Sequence, residues 1–158
     1  MDLKRNSTIL KNRTLLLSFR ILLGALFTVS GFQKLSSPYQ NFSVVVEQYQ
    51  IVKGPTADLV ALTLPWAEFI GGVFFALGLW ESVSLSVLWV LNVLFIGVLS
   101  SGLIRKLPLT DCGCFGAAIS LPPPVILGLD VLFFGFFTFY FFTRREADVP
   151  GLDRYVRH

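Results

Sequence analysis

The run Ser82-Val-Ser-Leu-Ser-Val-Leu-Trp-Val-Leu-Asn-Val-Leu-Phe-Ile-Gly-Val-Leu-Ser-Ser-Gly-Leu-Ile104 carries no charged side chain. A helix rises about 1.5 Å per residue, so a run of this length crosses the ~30 Å hydrocarbon core of a bilayer. Three other segments approach the same character. Thr14 to Leu35 holds only Arg20 and Lys34, Leu59 to Trp80 only Glu68, and Pro122 to Thr143 only Asp130. Charged residues make up 15% of the chain and hydrophobic ones 54%, where a soluble domain carries roughly 25% charged. The mean hydropathy is +0.69. These features predict an all-α integral membrane four-helix bundle in contact with the lipid bilayer. Its helices are expected at about 14–35, 57–80, 83–104 and 122–143, with no second domain.

The sixteen phenylalanines fit lipid-facing packing. The first apolar segment exceeds the usual core of a secretory leader and lacks a small-residue cleavage site, so it reads as a retained helix. Between the first two spans, Tyr39 to Val52 places Phe42, Val45, Val46 and Tyr49 at helical spacing. That stretch is too short to cross and is expected to lie along the interface. Gly54-Pro55 ends it, and Pro122-Pro123-Pro124 sets the start of the last helix, where proline forfeits no hydrogen bond.

The basic residues divide unevenly. Lys4, Arg5, Lys11 and Arg13 precede the first span, and Arg144, Arg145, Arg154 and Arg157 follow the last. Lys34, Lys53, Arg105 and Lys106 lie in the connections on the other side. The positive-inside rule then makes residues 1–13 and 144–158 cytoplasmic tails. The loop after the third span faces outward, into the periplasm if the membrane is a bacterial inner membrane. The net charge of +3 follows from this topology and requires no nucleic acid.

That loop contains Asp111-Cys-Gly-Cys-Phe-Gly116, with the two cysteines of the chain, Cys112 and Cys114. Cysteines at i and i+2 lie near the upper limit of ~4.4–6.8 Å between α-carbons that a disulfide tolerates, and Gly113 permits the tight turn that closes it. So small a ring removes little chain entropy and stabilises the fold poorly. Strained, exposed disulfides are the exchangeable ones. The pair is thus either a thiol–disulfide device or a loop clip. A metal site is not expected, because zinc and copper sites need three or four ligands and neither histidine nor a third cysteine is near. A bundle-embedded haem with His or Met ligands is not expected, since the single histidine is at position 158 and the single methionine at position 1.

Each span also carries one strongly polar residue: Arg20, Glu68, Asn92 and Asp130. Counted along the helices, they lie about 9, 18, 15 and 20 Å from the cytoplasmic side. A charge at such depth costs at least ~2.5–3.5 kcal/mol and normally faces inward with a partner. The four are expected to converge, with Arg20 neutralising Glu68 or Asp130 and the second acid neutral. The competing reading has Arg20 snorkelling to the surface and the others acting as interhelical glue. Pro65 is expected to kink the second span just above Glu68. Gly71, Gly72, Gly97 and Gly128 are read as close-packing residues.

Arg20-x3-Gly24 with Gly31-Phe-x-Lys34, Pro65-Trp-x-Glu68, and Asp111-Cys-Gly-Cys-Phe-Gly116 together resemble the methylamine-utilisation membrane protein (MauE) family, within the DoxX-like four-helix membrane proteins. The resemblance spans about Arg20 to Phe142. It implies an inner-membrane, redox-associated protein that aids disulfide formation or maturation of periplasmic proteins beside a thioredoxin-like partner, and it assigns thiol exchange to Cys112 and Cys114. The architecture also looks like the quinone-linked disulfide-forming enzymes of the vitamin K epoxide reductase type. Those enzymes use a second cysteine pair that this chain lacks, so a self-contained relay is absent. Any electron acceptor is organic, such as a quinone, or another protein's disulfide. Two readings compete with thiol exchange: a non-catalytic assembly factor or subunit with a structural cysteine pair, and a solute carrier working through the mid-membrane acids.

Overall fold

In the computed structural model, backbone is described for residues 2–107 and 122–147 and side chains for 14–107 and 122–143. Five helices follow one another among these: α1 (Asp2–Leu35), α2 (Tyr39–Gln48), α3 (Pro55–Leu77), α4 (Glu81–Ile104) and α5 (Pro123–Ala147). Four are long and apolar enough to cross a membrane, over Thr14–Leu35, Pro55–Leu77, Glu81–Ile104 and Pro123–Thr143. The all-α membrane bundle expected from hydropathy is the fold. From Asp2 on, the backbone of the expected 1–13 tail is the first part of α1.

Local chemistry fixes the helix ends within a few residues of expectation. Pro55 opens α3, where its missing N–H costs nothing. Gly78, at φ +69°, closes α3 in the left-handed conformation, and the N–H of Leu79 donates to the carbonyl of Phe74. That closure stops α3 at Leu77, three residues before the expected end. α4 then starts at once, with Glu81 in its first turn, where a carboxylate suits the helix dipole. α2 ends at Gln48, short of the expected Val52, and Gln50 at φ +57° turns the chain away. α3 stays one helix through Pro65.

Two hydrophobic clusters fill the bundle. The larger one joins Leu16, Leu23, Phe27, Phe75, Leu88, Phe137 and neighbours from all four long helices. The smaller joins Tyr49, Leu99 and Ile126, and so ties α2 to the adjoining ends of α4 and α5. The phenylalanines therefore divide between duties. Phe75 and Phe137 are fully buried, whereas Phe32, Phe139 and Phe142 face outward.

α1 and α3 meet most intimately. A Cβ at Gly31 would stand 2.6 Å from the Phe69 nitrogen, one at Gly24 2.7 Å from the Ala76 nitrogen, and one at Gly72 2.6 Å from the Thr28 nitrogen. Backbone meets backbone, a contact that only glycine permits. Gly71 packs on Leu88, as expected of a packing glycine, but Gly97 and Gly128 face open space. Those two are corrected: they mediate no described helix contact.

Candidate functional site

The centre of the molecule is a buried polar cluster built from four helices. Lys34 lies in the last turn of α1, and a helical side chain leans back toward its own N-terminus. Its ammonium therefore reaches down into the bundle. Nζ donates to both Glu68 carboxylate oxygens at 2.7 Å and to Ser30 Oγ at 3.2 Å. Ser30 in turn donates to Glu68 Oε2 at 3.2 Å. The rings of Phe42 and Phe95 each lie 5.3 Å from the same ammonium and add cation–π attraction. Glu68 is fully buried and the Lys34 side chain is 1% exposed. Both charges are thus desolvated, compensated and hydrogen-bonded, which is what a buried pair requires.

Asn92 and Asp130 face each other from α4 and α5, with Asn92 Nδ2 donating to Asp130 Oδ1 at 3.5 Å. Lys34 and Glu68 are the charges that act on Asp130. Three of the four expected polar residues, Glu68, Asn92 and Asp130, are therefore brought together.

Arg20 is not part of this cluster. It is buried on α1 beside Tyr140, whose hydroxyl donates to Glu81 Oε1 at 2.7 Å. The expectation that Arg20 neutralises Glu68 or Asp130 is corrected: Lys34 does so for Glu68. Fourteen positions (Lys34 against Arg20) separate the two cations along α1, about 21 Å at helical rise, so only one of them can reach Glu68. With 4% exposure, the Arg20 side chain stays inside the bundle, toward the end marked by Tyr140 and Glu81. The Lys34 α-carbon lies at the end of the span, beside the connection charges, although its ammonium does not. The signal that finds it is the direction in which a helical side chain leans.

Beneath α2, between α3 and α4, a cavity of about 240 Å³ opens, with Phe42, Val45, Leu64, Phe95 and Val98 among its walls. Lys34 is the one charged residue lining it among the described residues. Ser43 donates to Asp58 at 2.6 Å and Gly54 N–H to Glu47 at 2.6 Å, holding α2 against α3. On the other flank, Arg105 Nη2 donates to the Tyr49 carbonyl at 3.0 Å and to Ser101 Oγ at 2.7 Å. Arg105 is the residue that caps the end of α4, seven positions before Cys112 in the sequence. Cys112 and Cys114 themselves lie outside the described residues. Among the described residues, no group of three or more His, Cys, Asp or Glu is placed to hold a metal.

No curated protein and no solved structure matches the chain. The model of the family described as methylamine utilisation protein MauE matches residues 12–143. That stretch carries the Lys34–Glu68 pair, Asn92, Asp130, the α1–α3 glycines and the cysteine motif. A match over so much of the chain, on a fold of four membrane-crossing helices, makes this protein a member of the MauE family.

Proposed function

We propose that this protein serves methylamine utilisation as a membrane thiol–disulfide exchange protein, with Cys112 and Cys114 as its working pair. The supporting observation is where the cysteine segment is hung. The described residues that precede it end just past the Arg105 clamp, and those that follow it open α5 at Pro123, near the Tyr49–Leu99–Ile126 cluster. The flanks of the exchange loop are thereby held side by side at the end of the bundle that carries α2. In this reading that end faces the periplasm of a bacterial inner membrane, both tails are cytoplasmic, and the partner is a thioredoxin-like protein.

The exchange balances without a metal. The thiolate of one cysteine attacks the partner's disulfide, forming a mixed disulfide and releasing the partner's other sulfur as thiolate. The second cysteine then attacks its neighbour, which leaves a Cys112–Cys114 disulfide and a reduced partner. In the reverse direction the protein oxidises its client. Re-oxidation of the dithiol falls to a membrane-soluble quinone, which accepts two electrons and two protons. The apolar cavity beneath α2 offers space for its ring.

Replacing Cys112 or Cys114 singly by serine is expected to trap a reductant-sensitive adduct with the partner in intact membranes. If neither cysteine exchanges there, the reading fails. The saturated Lys34–Glu68–Ser30 cluster favours a second reading, a non-catalytic assembly subunit. Under it, the double Cys→Ser variant still supports maturation of the client.

A further inference from the structure

The buried polar cluster leaves three deficits that one atom removes. Lys34 and Glu68 cancel each other's charge. An ionised Asp130 would leave a negative charge without its own counter-ion among the described residues of the spans, at a cost of ~2.5–3.5 kcal/mol or more. Asp130 Oδ2 is buried and has no hydrogen-bond partner, and so is Asn92 Oδ1. Both belong to side chains at least nine-tenths buried, Asn92 at 0% and Asp130 at 7% exposure. Two such oxygens on neighbouring side chains cannot satisfy each other, since an amide oxygen and a carboxylate oxygen each only accept.

We propose that the Asn92–Asp130 pair is a buried proton-binding site, the proton residing on Asp130 Oδ2 and donated to Asn92 Oδ1. Asn92 Nδ2 already donates to Asp130 Oδ1. The proton completes a two-point carboxylic acid–carboxamide pair, fills both unmet acceptors and removes the excess charge. A metal cation fits worse. It requires six or more oxygens if calcium-like, or a well-hydrated shell if magnesium-like, and the Lys34 ammonium stands nearby.

The groups facing Asp130 from the packed helices are Lys34 on α1, Glu68 on α3 and Asn92 on α4. One ammonium neutralises one carboxylate at a time. Loss of the proton from Asp130 is therefore coupled to movement of Lys34 away from Glu68, and through Lys34 to the cavity that it lines. The Asn92–Asp130 pair takes no part in the thiol chemistry.

Infrared spectroscopy of the whole protein in lipid vesicles, with aspartate isotope-labelled at its carboxyl carbon, tests it. The expected result at neutral pH is a labelled carboxylic-acid carbonyl band that shifts in heavy water. The band is lost in Asp130→Asn and displaced in Asn92→Ala. Asp130→Asn keeps a two-point amide pair, so its melting temperature should match the wild type while Glu68→Gln falls below it. Labelled carboxylate bands alone, a band that survives Asp130→Asn, or one that vanishes when sodium replaces potassium would each overturn the proposal. If Asn92→Ala does not fold, the wild type and Asp130→Asn still decide.

Discussion

The α1–α3 and α4–α5 contacts are built on opposite plans. α1 and α3 touch backbone to backbone at Gly24, Gly31 and Gly72, and an ion pair locks the same seam. α4 and α5 meet through side chains. Trp89 stacks near Phe134 at 5.6 Å and donates to Thr138, and Asn92 faces Asp130, while Gly97, Gly128 and Gly135 meet nothing. One seam is closed by backbone at its glycines, whereas Gly97, Gly128 and Gly135 are exposed and take no part in the other. In lipid there is little hydrophobic gain from bringing helices together, so close packing and polar bonds carry association. The first seam is the structural keel, and the second is where polar groups are left free to do something else.

The sharpest way to break this contrast is Gly31→Leu. The added side chain meets the α3 backbone and also pulls Lys34 from Glu68, so a loss of about 5 kcal/mol or more is expected. It should be read as loss of folded protein in mild detergent. A Gly31→Leu chain that melts like the wild type would show that the seam is not closed in the membrane. Next in size is Lys34→Met, which strands Glu68 and should cost about 3–5 kcal/mol, while Lys34→Met with Glu68→Met should recover much of it. Equal losses in the single and double variants would deny the pairing.

Arg105→Ala removes the clamp to Tyr49 and should cost about 1 kcal/mol. Its informative readout is faster hydrogen exchange in α2 with α1 and α3 unchanged. Smallest of all, Gly128→Ala and Gly135→Ala should each raise stability by up to about 1 kcal/mol, since an added methyl there meets nothing and helix propensity improves. A large loss at either position would mean that another surface covers α5.

Much of this was legible in the chain. Charge-free length located the spans because the bilayer imposes a fixed thickness, and Glu68, Asn92 and Asp130 stood out because polarity at that depth demands a partner. The choice of cation was not legible. Counting along a helix locates α-carbons, whereas the Lys34 ammonium stands several ångströms from its own, so a residue at the rim serves the centre. Nor do glycines announce their duty: Gly72 and Gly128 differ only in what the tertiary packing sets opposite them. The helix bounds moved where capping chemistry intervened, as Gly78 did in stopping α3 before Trp80.

The Lys34–Glu68 bridge has a further consequence for biogenesis. Each charge is compensated at its buried position by the other, and they reside in two spans separated by α2 and its connections. During synthesis, the first span waits with an uncompensated lysine until the second emerges to meet it. In a chain interrupted between the two, that lysine would have no buried partner and would turn toward the interface instead. The settled position of the first span is thereby tied to the arrival of the second.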